Sequence, residues 1–192
     1  MSRKQDEQKL VRGFRLILEG LGLDLTSPHL RDTPERAARA WYHELCHGLT
    51  RAAPTITTFP STTNEMVVLR HVPIRSVCAH HLLPFSGSAT IGYIPGGGKV
   101  LGLSKLSRIA DYWSRRPQVQ EELTAQIADD VARHVLCRPD VGGVGVVIRA
   151  VHMCMALRGV NHSGEMVTSA MRGIFLSLPE VRAEFLDLAR SP

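Results

Sequence analysis

Two strand-like stretches, 66–94 and 144–175, flank a pair of helical runs, and this order most restricts what the chain can fold into. Residues 66–77 are rich in β-branched side chains, Pro84 interrupts, and 86–94 alternates before Pro95-Gly96-Gly97-Gly98 turns the chain. The helical runs cover 103–115 and 118–137. The second carries Val119, Leu123, Ile127, Val131 and Val135 at i+4 spacing. After Pro139 and the glycines at 142, 143 and 145, strands are expected over 144–151, 153–157 and 166–175, then a short helix opened by Pro179. The order β-β-α-α-β-β predicts an α+β fold: an antiparallel sheet with helices on one face.

Ahead of this block, residues 5–22 place Leu10, Phe14, Ile17, Leu18 and Leu21 at helical spacing, and Gly20 and Gly22 end the run. Thr33-Pro34-Glu35 reads as N-cap, first helical residue and first-turn acid of a second helix that runs to about His47. Residues 1–50 are therefore expected to form an N-terminal helical appendage. Residues 51–192 form the main domain, entered through a Thr/Ser/Pro-rich connector or edge strand over 50–64.

A chain of 192 residues with 44% hydrophobic and 21% charged side chains can bury a real core, which excludes disorder for most of it. No apolar run approaches the ~20 residues a membrane helix needs, and the first residues lack the apolar stretch of a signal peptide. A soluble cytoplasmic protein is expected, with no membrane partner. The net charge of +5 favours an anionic ligand. At 5% aromatic content, the chain lacks the stacking platforms of a single-strand nucleic-acid binder, so no nucleic-acid partner is expected.

Four cysteines are too few and too scattered for a disulfide scaffold, but two of them sit beside histidines. In Cys78-Ala79-His80-His81, a turn would let Cys78 and His81 reach one tetrahedral ion, and Pro84 makes a turn plausible. In His152-Met153-Cys154, a strand would project both chemical side chains from one face. Cys78, His81 and Cys154 thus supply a Cys2His set with an open fourth position, the pattern of a catalytic zinc that brings the pKa of bound water toward 7. His80 and His152 are left as proton carriers. Isolated histidines and cysteines are more often packing residues, as Cys46 and Cys137 are expected to be. Two short Cys/His groups at strand ends are harder to attribute to packing.

Two further constellations are suited to an anionic ligand. Ser104 can cap a helix whose first turn offers N–H groups to a phosphate, with Lys105 and Arg108 on one face. An exposed basic helix face is the plain alternative. Near the start of the next helix stand Glu121 and Glu122. Either could serve the helix dipole, and either could accept from two adjacent N–H donors such as those of a guanine ring.

Together these segments resemble the GTP cyclohydrolase I family. The resemblance is carried by Cys78-Ala79-His80-His81-Leu82-Leu83-Pro84-Phe85, Gly92-Tyr93-Ile94-Pro95, Gly102-Leu103-Ser104-Lys105 with Arg108, and Arg116-Pro117-Gln118-Val119-Gln120-Glu121. Val151-His152-Met153-Cys154-Met155 and Arg158-Gly159-Val160 complete it, with Thr33-Pro34-Glu35-Arg36-Ala37-Ala38-Arg39 near the N-terminus. It spans roughly residues 8–190.

The resemblance implies a tunnelling fold and a homodecamer of two stacked pentamers, with active sites at subunit interfaces. It implies Zn2+ on Cys78, His81 and Cys154, and an acid/base pair of His80 and His152. Glu121 would hold the guanine edge of GTP with Gln120 beside it, and Ser104 would contact the ribose. Lys105, Arg108 and Arg158 would hold the triphosphate, joined by Arg36 and Arg39 of a neighbouring subunit. The implied reaction opens the purine ring by hydrolysis at C8 and releases formate. Rearrangement of the ribose and ring closure then give 7,8-dihydroneopterin triphosphate.

The sequence departs from the family pattern at two places. Ala79 stands where glutamate is usual, and Asn161-His162-Ser163-Gly164-Glu165-Met166-Val167-Thr168-Ser169 is one residue short before Gly173-Ile174-Phe175. Two alternatives fit the same residues: a same-fold purine-ring hydrolase of a specialised pathway that stops at a ring-opened formamide, and a non-catalytic nucleotide-binding protein. The intact His80, His152 and Glu121 argue against the second.

Overall fold

The computed structural model describes residues 3–190 and divides into two compact units that meet at Ala52 and Ala53. The first unit holds α1 (Arg3–Gly20), α2 (Thr33–Ala40), a π-helical turn (Trp41–Leu45) and α3 (His47–Thr50). Pro34 lies in the first turn of α2, where its missing N–H costs nothing. The helix begins one residue earlier than expected, with Asp32 rather than Thr33 flanking it. The expected single helix to His47 is broken, because the chain widens into the π turn and leaves helical geometry at Cys46.

The second unit runs β1 (Thr58–Pro60), β2 (Val67–Cys78), β3 (Pro84–Ile94), β4 (Lys99–Leu101), α4 (Leu103–Ser114), β5 (Pro117–Gln118), α5 (Gln120–Val135), β6 (Gly143–His152), α6 (Met153–Ala156), β7 (Glu165–Gly173), α7 (Ile174–Ser177) and α8 (Pro179–Arg190). It is a mixed α and β fold. The main sheet has the order β5-β2-β3-β6-β7, and β1 pairs with β4 in a separate two-stranded ribbon. All neighbours in the main sheet are antiparallel except β2 and β5, which pair in parallel through Val77–Pro117 and Cys78–Gln118. The sheet is therefore mixed, and the expectation of a purely antiparallel one is corrected by a two-residue strand too short to leave a periodic signal. Pro84 does not interrupt the sheet but opens β3, the strand position that tolerates a missing donor.

The expectation of helices on one face is also corrected. Along β6, Val144, Val146, Ile148 and Ala150 join the main core with Leu106 and Ile109 of α4 and Leu123, Ile127 and Val131 of α5. Val147, one step out of phase, packs on the opposite face with Phe175 of α7 and Phe185 of α8. The glycine partners Gly92 and Gly145 make the room for this second layer. A Cβ on Gly92 would come within 2.8 Å of the Phe185 ring, and one on Gly145 within 2.6 Å.

This topology brings four chain ends to one end of the sheet. The β2 terminus at Cys78, the β3 start near Phe85, the β6 terminus at His152 and the start of α5 at Gln120 meet there.

Candidate functional site

Cys78 is buried at the end of β2, where a tight loop begins. The Cys78 N–H donates to Leu83 O at 2.8 Å and the Leu82 N–H donates to Cys78 O at 2.9 Å, which closes the loop over His80 and His81. Leu82 adopts a left-handed φ of 55°, a conformation costing a non-glycine residue about 1–3 kcal/mol, so the loop is held by its neighbours. Part of that hold is the β5 pairing, through which the Ala79 N–H donates to Gln118 O at 3.1 Å. His80 and His81 both emerge exposed.

His152 closes β6, and Cys154 follows in the helical turn α6 rather than in a strand. The i, i+2 projection expected of a strand is therefore replaced by a strand end and a first helical turn. The turn nonetheless carries the Cys154 sulfur back to the sheet. Ligand atoms of Cys78, His152 and Cys154 all lie within 4.8 Å of one another. Two thiols and an imidazole at this spacing fit a zinc-type ion, which favours sulfur and nitrogen donors in tetrahedral sites. Burial pushes the Cys154 thiol up, and the adjacent Cys78 sulfur adds to that. Metal binding would instead require the thiolate.

The remaining histidines are placed differently. His80 Nδ1 lies 3.7 Å from Cys78 Sγ. His81 lies outside the three-residue cluster: its Nε2 accepts a hydrogen bond from Arg158 Nη1 at 2.8 Å. That bond fixes a lone pair on His81 Nε2 beside the turn bearing Cys154, because an arginine only donates. Arg158 also reaches Cys154 O at 3.5 Å. Two residues assigned to different tasks, metal and phosphate, are thus in direct contact.

His152 has its ring flat on Phe85, with centroids 4.4 Å apart, and its Nε2 lies 2.8 Å from Gln120 Oε1. Burial pulls its pKa below the ordinary histidine range, while the nearby Glu121 carboxylate pulls the other way. Beside the ring opens a cavity of about 300 Å³ lined by His152, Cys154, His162, Glu165 and Met166 among others. The cavity wall at 162–166 belongs to the segment in which the sequence departs from the family pattern. His162, Phe85 and Gln118 were given no role by sequence reasoning. The pairing of Phe85 with His152 across β3 and β6 is a tertiary register that no local pattern announces.

Gln120 is buried at the first position of α5, with Glu121 and Glu122 exposed in the same turn. On α4, Gly102 flanks the helix start and Ser104 falls inside the first turn, so the expected Ser104 cap is not made. Ser104 and Arg108 are exposed, and Lys105 Nζ donates to Thr55 O at 3.2 Å. In the first unit, Arg36 and Arg39 are exposed on α2. Arg36 donates to His29 O at 3.0 Å and to Thr33 Oγ1 at 2.9 Å.

The mixed fold and this donor set define a class: a protein with a Cys/His/Cys cluster that could hold a metal ion at a sheet end, opening on a cavity. Comparison with known proteins narrows the class. The family model for GTP cyclohydrolase I matches residues 10–190. The GTP cyclohydrolase 1 of Hahella chejuensis is 46% identical over 95% of this chain and 96% of its own length. The GTP cyclohydrolase 1 1 of Pseudomonas aeruginosa is 48% identical over 93% of this chain and 95% of its own. The solved structure of the archaeosine synthase QueF-Like in the apo form has a TM-score of 0.45 and 23% identity, covering 58% of this chain and 97% of that one, a likeness too distant to bear on the site. The chain belongs to the GTP cyclohydrolase I family. Among the described residues no helix is long and apolar enough to cross a membrane.

Proposed function

We propose that this chain is a zinc-dependent hydrolase that converts GTP and water to 7,8-dihydroneopterin triphosphate and formate. The observation that carries this reading is the meeting of the Cys78 and Cys154 thiols, with the His152 imidazole within reach of both, beside the cavity in a chain of this family.

Zinc would be held by Cys78, Cys154 and His81, with His81 exchanging its Arg158 bond for the metal. When bound, zinc acts as a Lewis acid and lowers the pKa of water at an open position toward 7. His81 is favoured over His152 as the third ligand because it stands on an exposed turn with a lone pair already on Nε2. His152 is instead clamped by Phe85 and Gln120. An imidazole clamped in this way beside the cavity suits proton transfer to and from the purine nitrogens, with His80 as its partner. Release of His81 also frees Arg158 for the triphosphate.

Glu121 would accept the N–H donors of the guanine edge, and Ser104 would contact the ribose. Lys105 and Arg108 would bind phosphate from the α4 face. Arg36 and Arg39 would reach it from a neighbouring subunit in a decamer of two stacked pentamers, and Ala53–Pro192 would be the tunnelling-fold domain. Open edges support that assembly. Among the described residues β7 pairs on one side only, and β2 meets β5 through two residues only. Val160 and Val167, at 75% and 56% exposure, are apolar groups that an interface would cover.

Zinc-loaded protein incubated with GTP and analysed by mass spectrometry tests the reading. Dihydroneopterin triphosphate with one equivalent of formate is expected. A ring-opened formamide without formate would assign the chain to an early-stopping reaction, and unchanged GTP would overturn the hydrolase reading.

A further inference from the structure

The Gln120 side chain is 1% exposed, and every polar atom on it is engaged inside the protein. Its Nε2 donates to Met166 O and to Thr168 Oγ1, both at 3.0 Å, and lies 3.3 Å from Ile148 O. Two of these partners are backbone carbonyls, which only accept. A flipped amide would set Oε1 against both carbonyl oxygens in a buried site, so the amide has one orientation.

The two threonines agree with that direction. Thr124 Oγ1 donates to Gln120 O at 2.7 Å, and Thr124 and Thr168 hydroxyls lie 2.6 Å apart. Since the Thr124 proton is committed to Gln120 O, Thr168 donates to Thr124. Thr168 Oγ1 is then left to accept from Gln120. The donors run from Gln120 Nε2 through Thr168 and Thr124 back to the Gln120 main-chain carbonyl, and the amide so oriented aims its Oε1 at His152 Nε2 at 2.8 Å.

An amide oxygen cannot donate, so the nitrogen facing it must carry the hydrogen. In the neutral ring the lone pair then lies on Nδ1. We infer that Gln120 is a positioning residue that holds His152 as its Nε2–H tautomer, leaving Nδ1 as the working nitrogen, and is not a contact to the substrate. This rests on the hydrolase reading for the meaning of "working", but the tautomer itself does not. Phe85 fixes the plane of the ring and Gln120 fixes its rotation and its hydrogen, so both degrees of freedom of the imidazole are set from within the fold.

The first test is spectroscopic. Solid-state 15N NMR is recorded on zinc-loaded, full-length protein carrying 15N-labelled histidine, with the His152 signals assigned by their loss in His152→Asn. A protonated Nε2 and an unprotonated Nδ1 are expected. A protonated Nδ1 with a bare Nε2 would overturn the inference, whether or not GTP is turned over.

The second test is kinetic. Gln120→Met removes the acceptor but keeps the shape; Gln120→Glu keeps an oxygen facing His152 and, when protonated against Met166 O, replaces one of the two amide donors. Gln120→Met is expected to lower kcat by about 100-fold with the KM for GTP within about twofold, and Gln120→Glu to recover part of that loss. A raised KM with kcat retained would make Gln120 a substrate contact. Equal kcat losses in both variants, matching equal losses of folded protein, would make its role structural. Either result would overturn the inference. A wild-type protein inert toward GTP would instead count against the hydrolase reading, and the NMR result would still decide the tautomer.

Discussion

The imidazole of His152 lies parallel to the ring of Phe85, with 6° between their planes, and the two residues are register partners on β6 and β3. Phe85 is fully buried, so one residue serves the core and orients the site. Phe85→Ala is expected to cost about 3–5 kcal/mol in urea unfolding. Phe85→Leu keeps most of the apolar volume and should lose turnover out of proportion to its smaller loss of stability. Unimpaired turnover in Phe85→Leu would show that the stacking does not matter for the reaction.

Cys78→Ser and Cys154→Ser should each reduce bound zinc to trace levels, measured by inductively coupled plasma mass spectrometry on the purified chain. A thiolate lost from a three-ligand site leaves too few donors to hold the ion against a chelator. Stoichiometric zinc in either variant would remove that cysteine from the ligand set.

The second core layer depends on two glycines that face Phe185. A Cβ at position 145 would meet the rings of both Phe185 and Phe175 at under 3 Å. Gly145→Ala is therefore expected to destabilise the protein by about 1–3 kcal/mol, and Phe185→Leu in the same chain to recover part of it. Additive losses in the double variant would show that the strain lies elsewhere.

If Arg36 completes the site of a neighbouring subunit, Arg36→Glu should raise the KM for GTP. Mixing that variant with Cys78→Ser under conditions of subunit exchange should restore part of the lost turnover, because some sites then combine an intact Arg36 with an intact Cys78. No recovery on mixing would place Arg36 outside a shared site.

Helices and long strands were legible in the sequence because their apolar periodicity is local: α5 shows Leu123, Ile127 and Val131 on its buried face as the spacing predicts. The two-residue β5, the break at Cys46 and the helical turn at Met153–Ala156 were not legible. Each is shorter than one pattern period and is held by partners distant in sequence. Cys78 and Cys154 could be paired as candidates from residue type alone. Whether His81 or His152 stands nearest them, and that Gln120 is spent on backbone carbonyls and a threonine, depends on tertiary register and side-chain rotation, which spacing does not encode.

The division of labour between His81 and His152 is the central claim, and zinc content read alongside formate release from GTP in His81→Ala and His152→Ala tests it most directly. His81→Ala is expected to lose both zinc and turnover, while His152→Ala keeps zinc near the wild-type level and loses turnover. Zinc lost from His152→Ala but retained by His81→Ala would contradict it and make His152, which lies within 4.8 Å of both thiols, the third ligand.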